Sequence, residues 1–144
     1  MDEAAIEIEA LRNTPFFADL ADGDLAAIAK VGRPVSFEAT TKIFEQGDVG
    51  DAMYILLEGS VQVTVGGRFH TLKPGDFFGE MALISSKKRL ATVETVEPVR
   101  ALQIPAPAFR EFVLDHPSVA MSMLGALVER LREVEQRIDA WMAG

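Results

Sequence analysis

The 144 residues contain no cysteine, which excludes disulfides, thiolate zinc sites and iron–sulfur clusters and leaves the redox compartment open. Histidine is almost as scarce: His70 and His116 are the only two, too few for most other metal sites. Positive charge is in deficit, with 14 Lys and Arg against 22 Asp and Glu and a net charge of −8. A nucleic-acid-binding surface needs clustered cations to displace counterions, so no nucleic-acid partner is expected. No apolar run is long enough to cross a bilayer, and the opening MDEAAIEIEA is acidic, without the basic and apolar regions of a secretory signal. No membrane partner and a cytoplasmic location are the resulting expectations. Against these absences, 49% hydrophobic residues are enough for a proper core, and the length suits one domain over 1–144.

Two segments read as helices before residue 33. Ala4, Ile8 and Leu11 share a face in the first; ADGDLAAIAKVG is the second, with Asp22 as the expected cap and Gly32 as the stop. From residue 34 to 104 the period changes to alternation. VSFE, KIFEQ, MYILLEG, SVQVTV, RFHTLK, ATVETV and VRALQI read as short strands between Gly and Pro, the pattern of an antiparallel sandwich or roll. Gly66-Gly67 predicts a tight hairpin with positive φ at both turn positions, and Pro74-Gly75 a type II turn.

Pro105 and Pro107 open a helix over 105–116 with Phe109, Phe112 and Val113 on one face, and Pro117 starts a last helix over 117–142. In that helix Leu124, Leu127, Leu131, Val134, Ile138 and Trp141 follow each other at spacings of 3, 4, 3, 4 and 3, a heptad seam. Two readings stand: one face packed on the roll, or a homodimer through this helix. With Leu124 at position a, Arg130 falls at g and Glu135 at the following e, an attractive contact between parallel helices. Gly125 costs about 1 kcal/mol relative to alanine inside a helix, which suggests a hinge or the close approach of another group.

The chemistry concentrates in PGDFFGEMALISSKKRLATVETV. Gly79 permits close backbone approach, and EMALI is a short helical turn whose first N–H groups lack internal partners. Between Gly79 and Val93 the charges are Glu80 against Lys87, Lys88 and Arg89, a local +2 on a strongly acidic chain. A carboxylate accepts from hydroxyls and a guanidinium fork fits phosphate oxygens, so the pair suits a sugar phosphate. The same residues also admit a blander arrangement, Glu80 paired with Arg89 and the Lys-Lys-Arg run as a solvated loop tip.

The string FGEMALISSKKRLATV resembles the phosphate-binding cassette of the cyclic-nucleotide-binding domain family, F-G-E-[LM]-A-L and then R-x-A-[TS]-V, at Phe78 to Leu83, Arg89 and Ala91 to Val93. IFEQGDVGDAMYILLEGSVQV is similar to the family's upstream strands at Phe44, Gly47, Asp48, Tyr54, Ile55, Gly59 and Val61, and LRNTPFFADL resembles its helical lead-in. The resemblance spans about residues 11 to 135. It implies an α+β fold, an antiparallel β-roll like a jelly roll with N-terminal helices and two C-terminal helices, the last acting as a lid.

It also implies a non-catalytic regulatory domain whose ligand is a cyclic nucleotide, with no cofactor. Glu80 would accept from the ribose 2′-OH, Arg89 would clamp the cyclic phosphate, and Gly79 would let the ribose come close. The amides of Ala82 and Ala91 would add hydrogen bonds, with Met81 and Leu90 beside the ligand. Leu90 departs from the small or hydroxylated residue usual in the family and cannot donate to guanine, which favours cAMP over cGMP. The last helix offers Arg130, Val134 and Trp141 to cover the base, Arg130 foremost. No helix-turn-helix follows before Gly144, so the expected effector is another protein or a further domain of a channel or enzyme. Two other readings remain: a structural dimer of this fold that binds no nucleotide, and a cupin-type enzyme, for which His70 is the only strand histidine.

Overall fold

A computed structural model of the chain describes residues 2–84 and 88–143, and within them every side chain but those of residues 84, 130, 141 and 143. Helix α1 spans Glu3–Arg12, its N-terminus capped by the Asp2 carboxylate, which accepts from the Ala5 N–H at 2.8 Å. Its buried face is Glu7, Ala10 and Leu11, whereas Ala4 is exposed, so the stripe is rotated from the expected one. An acid is tolerated there because Arg100, on the neighbouring sheet, is close enough to act on Glu7 electrostatically and pairs with Glu3 and Glu58. Helix α2 (Asp22–Val31) corrects a second expectation. Its N-cap is Ala21, without a side-chain cap, and Asp22 is already helical, its carboxylate 2.8 Å from Arg12 at the end of α1. Gly32 does stop α2, in extended backbone, and space explains the glycine: a Cβ there would lie 2.7 Å from Leu102 Cδ1.

Eight strands follow: β1 Arg33–Phe37, β2 Lys42–Phe44, β3 Ala52–Glu58, β4 Val61–Val65, β5 Arg68–Leu72, β6 Phe77–Phe78, β7 Thr92–Thr95 and β8 Val99–Pro105. They form two four-stranded antiparallel sheets, in the orders β1-β8-β3-β6 and β2-β7-β4-β5. Two residues of β6 are too short to alternate, which is why sequence periodicity shows seven strands. Gly66 (φ +56°) and Gly67 (φ +79°) make the β4–β5 hairpin with positive φ at both positions, as the dipeptide predicts.

Strand β3 is buried on both faces and divides the interior in two. Met53, Ile55 and Leu57 face a core shared with Leu11, Phe17, Leu25, Ile28, Leu102 and Phe109. Tyr54 and Leu56 face the space between the sheets, with Val61, Val63, Phe78 and Val93. Each such side chain contributes about 1.5 to 3 kcal/mol of burial, so β3 anchors both layers and holds β6 at the mouth of the second.

After the single turn of α3 (Met81–Ile84) and strands β7 and β8, α4 runs over Ala106–Asp115 and α5 over Pro117–Ala143. Phe109 and Phe112 bury α4 against the first core, and His116 closes it, its ring stacked on Phe112 at 4.3 Å. In α5 only the start is anchored among the described residues, through Val119 and Met123. The heptad seam is exposed at Leu124, Leu127, Leu131, Val134 and Ile138, with Leu131 59% exposed, so the reading in which it packs on the roll is not the arrangement found. No described helix is long and apolar enough to cross a membrane.

Candidate functional site

A concave cavity of about 360 Å³ opens on the second sheet, walled by Val63 of β4, Leu72 of β5 and Val93 of β7 and closed at one side by the β6–α3 turn. Gly79, Glu80, Met81, Ala82, Arg89, Leu90 and Ala91 all line it. Seven of the eight residues expected from sequence therefore meet in one place; the side chain of Arg130, like that of Trp141, lies outside the described residues, as does Lys87. The turn forms because Gly79 adopts φ +77°, a conformation costly for any residue with a Cβ.

Arg89 is the centre of the site. Its backbone is clamped to the loop after β2, the Arg89 N–H donating to the Asp48 carbonyl at 2.7 Å and its carbonyl accepting from the Gly47 N–H at 2.8 Å. Its guanidinium carbon lies 4.1 Å from the centroid of the Phe44 ring, a cation–π seat. Two glycines leave room for it: a Cβ at Gly50 would come within 2.4 Å of Nε and one at Gly79 within 2.8 Å of Nη1.

Only 7% of Arg89 is exposed, and among the described residues Nε has no hydrogen-bond partner and Nη1 makes one long bond of 3.4 Å to the Gly79 carbonyl. Burial pushes the guanidinium below its ordinary range, and the nearby Tyr54, Asp51 and Asp48 only partly oppose this. No described carboxylate reaches ion-pair distance of Arg89, and Glu80 is not its partner, which disposes of the simple Glu80–Arg89 pair. A buried cation carries a desolvation cost that an anion beside it would offset.

Glu80 is half-buried on the same cavity, and among the described residues no ion pair holds its carboxylate. The Ala82 N–H, expected from sequence to be available, already donates to the Gly79 carbonyl at 3.2 Å. Leu90 is 58% exposed at the rim and Met81 is exposed too, so neither plugs the opening. Arg110 of α4 reaches the Ala82 carbonyl at 3.4 Å, a polar link from the site to the C-terminal helices.

Sequence reasoning missed three participants. Gly50 carries no turn signal, and only the fold brings it against Arg89. His70 and Asp76 line the cavity because the Gly66-Gly67 hairpin sets β5 in register with β4, with His70 opposite Val63. The cupin-type reading gains no support, since among the described residues no three His, Asp or Glu side chains converge as metal ligands.

A β-roll with a buried guanidinium and a half-buried carboxylate on one concave wall combines donor and acceptor chemistry that suits a small anion carrying hydroxyls. The profile of the cyclic nucleotide-binding domain matches residues 34–116, and the chain belongs to that family of regulatory domains. It is 29% identical over 136 residues to a CRP-like cAMP-activated global transcriptional regulator of Mycobacterium tuberculosis, covering 90% of this chain and 61% of that protein's length. Among solved structures, it superposes with TM-score 0.79 and 28% identity on the N-terminal domain of a transcriptional regulator from Streptomyces coelicolor, covering 90% of this chain and 94% of the other. The regulatory domain of Toxoplasma gondii PKA, crystallised with cAMP, matches with TM-score 0.70 and 28% identity over 80% of this chain and 47% of its own.

Proposed function

We propose that the chain is a non-catalytic sensor that takes up a cyclic nucleotide, cAMP in preference to cGMP, and answers by repositioning α5. The observation that carries this reading is Arg89, buried over Phe44, with Nε unpartnered and no carboxylate at ion-pair distance among the described residues. A cyclic phosphate supplies the missing anion, and Glu80 takes the ribose 2′-OH. Leu90 supports cAMP because its side chain offers no donor to guanine. The regulator of M. tuberculosis is named for activation by cAMP and the T. gondii domain was crystallised with it, which lends weight to the same ligand here. The unpaired guanidinium weighs against a purely structural role, since a domain without a ligand gains nothing from desolvating that cation.

The response is assigned to α5 because, among the described residues, its buried anchors are Val119 and Met123 in the first two turns. Its exposed seam supports a second element of the reading, a homodimer through α5, which then acts on an effector protein or domain. Calorimetric titration with cAMP and cGMP tests the binding. Binding is expected to vanish in Arg89→Ala, with the fold checked by circular dichroism. Glu80→Ala is expected to lose about 1 to 3 kcal/mol of binding free energy. Unchanged affinity in the arginine variant would remove the assignment. Trp141 fluorescence follows the helix, and a signal that ignores saturating nucleotide would remove the lid.

A further inference from the structure

Strand β2 would not offer a ring to Arg89 by simple alternation. Lys42 stands opposite Glu94 of β7, so Phe44, two residues on, would share its outward face. The register shifts between Lys42 and Phe44, and Phe44 comes to stand opposite Val93 instead. Val93 is 1% exposed and belongs to the core between the sheets, so the bulge turns Phe44 inward beside it. There the ring is held by other aromatics. Its centroid lies 5.8 Å from that of Phe78 and 6.3 Å from that of Tyr54, and these two stack on each other at 5.2 Å. The Tyr54 hydroxyl in turn accepts from Gln103 of β8 at 2.9 Å. Arg89 Cζ sits over the Phe44 ring at 4.1 Å from its centroid, whereas the hydrogen bond from Nη1 to the Gly79 carbonyl is long, at 3.4 Å.

Resting on the nucleotide reading above, we infer that Phe44 is a positioning residue for nucleotide binding: the electron-rich face of its ring keeps the Arg89 guanidinium where a cyclic phosphate meets it. The ring quadrupole attracts a cation, and the attraction grows when both groups are out of water. It offsets part of the desolvation of the buried guanidinium, which by itself favours a rotamer that reaches solvent. Only the seated fraction of Arg89 is competent to take the phosphate, so every loss of seating weakens the apparent affinity in proportion. Phe44 acts through Arg89 and needs no contact with the ligand. An aliphatic side chain would fill much of the same space but would lack the quadrupole.

Ring electrons can be withdrawn with little change of volume by replacing Phe44 with phenylalanines that carry one, two or three ring fluorines. Calorimetric titration of the full chain with cAMP is expected to show Kd rising with each fluorine, to about 5- to 10-fold above wild type at three, and about 10-fold in Phe44→Leu. Circular dichroism checks the fold of each variant. The same fluorinated series at Phe37, which packs edge-on against Tyr54 and does not line the cavity, is expected to leave Kd within about 2-fold. An affinity that ignores the fluorines at Phe44, or that falls as steeply with fluorines at Phe37, overturns the inference and leaves nucleotide binding standing. Failure of the wild type to bind either cAMP or cGMP overturns the binding reading, and this inference with it.

Discussion

A single side chain, Arg89, holds the site's electrostatic tension, and glycine makes its position possible. Gly50 has no positive φ that would demand glycine, so its requirement is purely steric. Gly50→Ala is expected to push the guanidinium off Phe44, lowering cAMP affinity about 10-fold or more and costing roughly 1 to 3 kcal/mol of stability through overpacking. Calorimetry and urea titration check the two effects, and intact affinity would mean that the guanidinium does not hold the phosphate. The cassette itself was legible because its residues are consecutive and their chemistry is local. Gly50 was not, because it meets Arg89 across 39 positions of chain and only through the isolated bridge of Val49 with Lys88 and the clamps at Gly47 and Asp48.

Among the elements, the two terminal helices carry the clearest expectations. In α1, burial and the neighbouring Glu3 raise the Glu7 carboxyl above its ordinary value of 4.5, and Arg100 only partly compensates. An acid with a raised folded-state pKa binds more protons when folded, so stability falls as pH rises from about 4.5 through the raised value and stays at the lower level above it. Glu7→Gln is therefore expected to stabilise the chain at pH 7 and to lose that advantage below about pH 4, read from denaturant midpoints at the two pH values. In α5, Gly125 meets nothing within 4 Å of an added Cβ. Gly125→Ala should thus stabilise an isolated chain by about 1 kcal/mol. A loss instead, seen only at concentrations where the chain self-associates, would locate a close helix approach at this residue. The rotation of the α1 face shows the limit of periodicity: three spaced apolar residues define a helix, but the partner surface chooses which stripe is buried, and here Arg100 makes a glutamate acceptable.

For the whole molecule, the conspicuous feature is an apolar seam left in solvent along α5 while two cores are filled beneath the rest of the chain. If pairing covers it, Leu131→Glu should give a monomer by sedimentation equilibrium with cAMP affinity changed less than about 3-fold, because Leu131 does not line the cavity. An unchanged mass would show that the seam is not the dimer contact. The amino-acid order alone determined the alternation of strands, the glycine turns, the cassette and the heptad spacing, since each arises from neighbours a few residues apart. Tertiary structure decided which face of α1 is buried, that β6 joins β3, that Arg89 is sealed between Gly50, Gly79 and Phe44 without a carboxylate, and that His70 stands on the cavity wall. These depend on sheet register and on the meeting of distant segments, and local periodicity carries no information about either.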